Sequence, residues 1–189
     1  MRSDDAILKR LENKALHYLG RYASTEARLR QVLGRFAQRK MAEEEPARMA
    51  ALIDKMVEDC RAKGYVNDQV FAEQKTASLR RSGSSRLQIK RKLHERGVDA
   101  NLIDAAIDRH DDDQDHDPEV QAALIYARKR RLGPYRKPPI GQMEMKDGWR
   151  DRHYASLARA GFSAKTVGII MALDDSAAAE HLFEVGYFD

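Results

Sequence analysis

The residues best equipped for chemistry in this sequence are cations, and they come in two runs. Between Arg80 and Arg96, seven lysines and arginines stand against Glu95 alone. Between Glu119 and Lys165, eleven stand against Glu119, Glu144, Asp147 and Asp151. Arginine forks and lysine ammoniums carried on helices suit phosphate oxygens, and they suit carboxylates on a protein partner equally well. The candidate contacts are Arg80, Arg81, Arg86, Lys90, Arg91, Arg96, Arg128, Lys129, Arg130, Arg131 and Arg136. A solvated helix face that only keeps a protein soluble has the same composition. Tyr126, Tyr135 and Trp149 flank the second run, where they either stack on bases or belong to the core.

Covalent and metal chemistry find no such concentration. The sequence has no Gly-rich phosphate loop, HExxH, CxxC or GxSxG. His17, His94, His110, His116, His153 and His181 are scattered without paired metal-ligand spacing. Asp111, Asp113 and Asp115 imitate the opening of a calcium loop. That loop then needs a glycine where His116 stands and a glutamate where Ala122 stands. The run 111–117 reads instead as a solvated acidic linker. The expectation is a protein that is not an enzyme and has no catalytic residue, cofactor or metal.

The single cysteine, Cys60, excludes an internal disulfide framework and a Cys-rich zinc site. It is expected to pack as a small apolar side chain in a reducing compartment. No apolar run approaches the roughly 18 residues of a membrane span, and the charged N-terminus lacks the apolar core of a secretory signal. A cytoplasmic protein without a membrane partner follows. Net charge is only +4, so the segregation of sign matters more than the total.

The elements that must carry the cations are helices. Alanine, leucine, arginine, lysine and glutamate dominate the long segments. Leu8, Leu11, Ala15, Leu16 and Leu19 recur at helical steps toward Gly20. Ser24 reads as the N-cap of a second helix with an apolar stripe of Leu29, Val32, Leu33 and Phe36. Pro46 opens a third, which buries Met49, Leu52, Ile53, Met56, Val57 and Cys60 and closes at Gly64. Asn67 or Asp68 caps a helix running to Arg81, and Ser82–Ser85 interrupts it. Leu87, Lys90, Leu93 and Gly97 organise the next helix. Asp99 caps a short one over 100–108, which buries Leu102, Ile103, Ala106 and Ile107. Asp117-Pro118 starts a helix that Gly133-Pro134 stops, and residues 135–148 read as a loop. A helix over 149–160 ends at Gly161, Ser163 caps another, and 175–189 adds a terminal helix through Leu182, Phe183 and Val185.

An internal echo groups these helices. Leu93, Gly97, Ile103 and Ile107 stand at offsets that Leu157, Gly161, Val167 and Met171 repeat. The expected fold is all-α, with three tandem three-helix repeats in an elongated, curved array. Residues 1–11 extend the first helix, 12–66, 67–110 and 117–174 form the units, 111–116 is the acidic linker and 175–189 is a tail.

These motifs also carry a resemblance. Ala15, Leu16, Tyr18 and Leu19 with Arg21 and Ser24; Gly64-Tyr65-Val66-Asn67-Asp68 with Phe71 and Ala72; and Leu93 with Arg96-Gly97-Val98 are its first half. Ala127-Arg128-Lys129 and Leu157-Ala158-Arg159-Ala160-Gly161-Phe162-Ser163 complete it. In order and spacing over about 12–173 the chain resembles the RecX family of recombination regulators. The insertion 135–148 and the tail 175–189 are additions to that pattern. The resemblance implies three tandem three-helix repeats and binding to the RecA–DNA filament. It also implies suppression of RecA's ATPase and strand exchange in recombinational DNA repair and the SOS response. DNA is a further implied partner, single-stranded first and double-stranded second, and the expected state is a monomer. Two rival readings stand beside it: a plain DNA-binding protein acting by competition for DNA, and a scaffold joining other proteins.

Overall fold

The computed structural model describes residues 2–114, 116–137 and 148–185, without the side chains of Phe183 and Val185. Most of the expected loop 135–148, Asp115 of the acidic run and the last four residues of the tail therefore lie outside the described residues. Everything regular among the described residues is helical. The chain divides into two compact units, Met1–Ala72 with Leu93–Ile103, and Glu73–Lys92 with Asp104–Asp189.

In the first unit, α1 (Asp4–Leu19), α2 (Glu26–Lys40) and α3 (Pro46–Ala62) enclose one apolar core. α1 contributes Ile7, Leu11 and Ala15, a row of four-residue steps, and α2 contributes Leu29, Leu33 and Ala37 in the same way. Leu16, one position off that row, is exposed. α3 buries all six of its expected residues, including Cys60, whose thiol pKa is raised by burial. The N-cap of α2 is Thr25 rather than Ser24. Thr25 Oγ1 accepts the Arg28 amide at 3.1 Å, while Ser24 is buried. Glu45 caps α3 through the Ala47 and Arg48 amides ahead of Pro46 at the first helical position.

α4 (Asp68–Arg81), α5 (Arg86–His94) and α6 (Ala100–Asp112) each run through the division between the units. Asn67 caps α4, its Oδ1 accepting the Val70 amide. Asp68 instead accepts the Glu26 amide, satisfying a free donor at the start of α2. α6 extends four residues past its expected end, so Asp111 and Asp112 are helical rather than linker. In α5 the deeply buried residues are Ile89 and Leu93, whereas Leu87 is 63% exposed. The second unit continues with α7 (Pro118–Arg130), a 3-10 turn Gly133–Tyr135, α8 (Trp149–Arg159), α9 (Ala164–Ala172) and α10 (Ser176–Val185). Its core joins Val120, Leu124 and Ala127 of α7 to Leu157, Phe162, Val167 and Ile170.

Five helices end in one hydrogen-bond pattern, in which the amide two residues past the last turn reaches back five residues. The pairs are Tyr65 to Cys60, Ser84 to Leu79, Val98 to Leu93, Leu132 to Ala127 and Phe162 to Leu157. That pattern demands a left-handed residue between, supplied by Gly64, Gly83, Gly97 and Gly161 in four cases and by Arg131 in α7. The sequence echo is thus a repeated buried leucine and glycine stop. At Gly97 a Cβ would lie 2.3 Å from that of Ala27, so close approach reinforces the demand for glycine.

Candidate partner-binding face

The two basic runs meet different surroundings. Arg80, near the end of α4, is 5% exposed. Its Nη2 pairs with Asp111 at 2.5 Å, its Nη1 pairs with Glu119 at 2.6 Å, and its Nη1 also donates to the Ser84 carbonyl. Burial opposes the charge, but the hydrogen bonds that Arg80 donates to Asp111 and Glu119 outweigh it and raise the pKa. Arg86 of α5 lies 2.6 Å from Asp108 and 3.6 Å from Asp104, and Lys90 lies 2.5 Å from Asp104. The Lys90 ammonium holds the Asp104 carboxyl below its usual pKa, with Arg86 adding to the effect. The Arg86 amide donates to Glu119 as well, so one glutamate serves both α4 and α5.

The end of α7 is organised differently. Arg128, Lys129, Arg130 and Arg131 are all exposed. Their only carboxylate partner among the described residues is Glu180, 3.5 Å from Arg128. Lys129 Nζ donates to the Ser82 carbonyl at 2.8 Å, which brings the exposed Arg81 region beside this cluster. The α4–α5 turn can lie so close because Gly83 has no side chain. A Cβ there would stand 2.9 Å from the Tyr126 amide nitrogen and from Ile125 Cγ2. Arg130 lies over the Tyr126 ring at 5.6 Å. Arg136 donates to the Gly133 and Asp174 carbonyls, and its guanidinium sits 4.5 Å above Trp149. Arg150 lies over the same indole at 5.1 Å. His153, edge-on to Trp149, accepts the Gly133 amide through Nδ1. Burial first, then Arg152 and Arg136, depress its pKa, so the acceptor form prevails near neutrality.

Comparison with known proteins accounts for this helix order. A family model described as RecX, second three-helix domain, matches residues 67–107. The chain is 41% identical to the regulatory protein RecX of Myxococcus xanthus over 156 residues, covering 81% of this chain and 79% of that protein. The chain belongs to the RecX family. It is 31% identical to the regulatory protein RecX of Agrobacterium fabrum over 90% of its own length. Its fold is similar to the crystal structure of RecX from Lactobacillus salivarius, with a TM-score of 0.65 at 18% identity, covering 88% of this chain and 96% of that one.

Within this RecX-family chain the eleven candidate cations therefore separate. Arg80 is an interior ion-pair residue, and its guanidinium is not presented to a partner. Arg86 and Lys90 are half-buried beside aspartates. Arg81 and Arg91 are exposed in the second unit, and Arg96 is exposed in the first, where its carbonyl accepts the Thr25 hydroxyl at 2.6 Å. Arg128 to Arg131 form one exposed group. Of the three aromatics, Tyr126 packs edge-on to Phe162, Tyr135 packs against the same core, and Trp149 lies against the guanidiniums of Arg136 and Arg150. Arg150 was not among the candidates. Its place directly after the lone tryptophan was the available signal. Among the described residues no group of three His, Cys, Asp or Glu side chains is arranged to hold a metal, and no helix is long and apolar enough to cross a membrane.

Proposed function

We propose that this chain regulates RecA by binding the RecA–DNA filament and suppressing its ATPase and strand exchange in recombinational repair. One observation carries the reading beyond family membership: the group Arg128 to Arg131, exposed, joined to the Arg81 turn through Lys129 and, among the described residues, with Glu180 as its one carboxylate partner. Exposed cations are available to an anionic partner, and a filament offers many equivalent sites. Tandem helical units over 12–66, 67–110 and 117–174 would engage neighbouring filament subunits together, raising avidity without a deep pocket. Holding those subunits at fixed spacing hinders the motions that hydrolysis and exchange require.

The test is single-stranded-DNA-dependent ATP hydrolysis by RecA, with this protein substoichiometric to RecA and DNA in excess. Inhibition is expected, because excess DNA cannot be titrated away. No inhibition at any ratio overturns the reading. A second reading, competition for DNA alone, draws on Trp149 with the Arg136 and Arg150 guanidiniums close to its ring, a cationic aromatic group of the kind that binds single strands. It predicts inhibition only when the protein can coat the DNA, and binding that weakens with a log–log salt slope of about −0.7 per neutralised phosphate on single strands.

A further inference from the structure

We infer that α10 is an autoinhibitory clasp, which sets its own carboxylates against the basic end of α7 and competes there with the anionic partner. Within 126–137, Arg128 to Arg131, Arg136 and Lys137 stand without a single carboxylate among them. Within 174–185, Asp174, Asp175, Glu180 and Glu184 stand without a lysine or arginine. The fold brings these stretches of opposite sign together inside the second unit. Arg136 donates to the Asp174 carbonyl at 3.1 Å, which pins the start of the tail beside the 3-10 turn. Asp175 then caps α10 by accepting the Ala178 amide at 2.9 Å. Ala179, fully buried, and Leu182 join the core of the unit and fix which face of α10 points inward. That rotation leaves Glu180 3.5 Å from Arg128. Glu180 also reaches Tyr135, whose hydroxyl pKa is raised by burial first and then by the Glu180 charge. Glu184 follows one turn further along the same side of the helix.

The ion pair does little for the fold. Arg128 and Glu180 keep side-chain exposures of 68% and 43%, and pairs so open to water contribute little stability. The apolar contacts of Ala179 and Leu182 hold α10 in place whether or not Glu180 is charged. What Glu180 changes is the field over the end of α7, because an arriving anion must outcompete a carboxylate already there. An exposed contact of this kind attenuates binding and does not block it. The clasp rests on the proposed function, in which the end of α7 faces an anionic partner, and adds a control exerted by the chain's own tail.

The experiment compares the wild type, Glu180→Gln, Arg128→Gln and the double variant. Three quantities are read: half-inhibition of RecA ATPase in DNA excess, anisotropy of a fluorescein-labelled oligothymidylate as the anionic probe, and thermal melting. Glu180→Gln is expected to melt close to the wild type while inhibiting RecA and binding the probe about three-fold more tightly. The gain should shrink as salt rises, since exposed charges are screened. Most of it should vanish in the Arg128→Gln background, where the clasp has lost its partner. A gain that persists undiminished there overturns the inference, because removal of a negative charge at long range then explains it. Unchanged or weaker binding by Glu180→Gln also overturns it and leaves α10 a purely structural helix; if the wild type inhibits RecA, the proposed function still stands. If the wild type never inhibits RecA but the Arg128-dependent gain appears with the probe, the RecA reading falls and the clasp stands. A wild type that neither inhibits RecA nor binds the probe overturns both.

Discussion

The α4–α5 corner and the end of α7 are both arginine-rich, and they do opposite things with their charge. At the corner, Arg80, Arg86 and Lys90 are absorbed by Asp104, Asp108, Asp111 and Glu119. At the end of α7, four consecutive cations face outward, and among the described residues only Arg128 has a carboxylate partner, Glu180. A basic run is therefore not one signal. The corner uses charge to hold helices together, and the α7 end leaves it exposed.

The comparison breaks most sharply at Arg80. Arg80→Ala leaves Asp111 and Glu119 without their common partner and should destabilise the protein by about 3 kcal/mol, as removal of one member of a buried pair does. Urea unfolding monitored by circular dichroism checks this, and a loss well under 1 kcal/mol would make the corner as superficial as the α7 end. Next comes Gly83→Ala, which tests the joint between the two regions. It forces a Cβ against the Tyr126 amide at a φ of +81°, and a cost of about 2 kcal/mol is expected. Near-wild-type stability would mean the turn shifts without consequence.

Reversing Arg128, Arg130 and Arg131 to glutamate sharpens the contrast from the other side. Helicity and melting should be little changed, while the concentration for half-inhibition of RecA rises about ten-fold, equivalent to about 1.4 kcal/mol. Unchanged inhibition would remove the end of α7 from the contact face. The smallest effect is acid-dependent. Asp104 has a depressed pKa in the folded state, so its pairing with Lys90 adds stability above the unfolded carboxylate pKa near 4 and loses it as pH falls through the folded value. The stability difference between the wild type and Lys90→Gln should narrow between pH 5 and roughly 3. A constant difference would show that Lys90 acts by packing alone.

The sequence displayed the helices and their buried faces well, because three- and four-residue steps mark them directly. All six expected core residues of α3 are buried, and Asn67, Asp99, Asp117 and Ser163 cap where their types require. What it hid depends on distant pairing. Arg80 meets partners 31 and 39 residues away, so no local pattern distinguishes it from Arg81 beside it. The acidic stretch after Asp108 looked like linker because aspartates are poor helix formers, yet pairing with Arg80 holds Asp111 within α6. Leu87, one of the residues whose spacing organises α5, is exposed, because Ile89 and Leu93 set the buried phase of that helix. Arg131 was counted for its charge, and its backbone conformation became visible only beside the four glycine-capped ends.

Cys60 has a consequence of another kind. It is the sole thiol in the chain, sits within the first core and has its pKa raised there by burial. A disulfide reagent reaches it only after α3 opens, so labelling kinetics are a clock for the first unit alone. With reclosing faster than labelling, the rate gives the free energy of that opening; with reclosing slower, it gives the opening rate itself. Read with and without a binding partner, one sulfur atom reports whether association quiets the first unit or leaves its motions untouched.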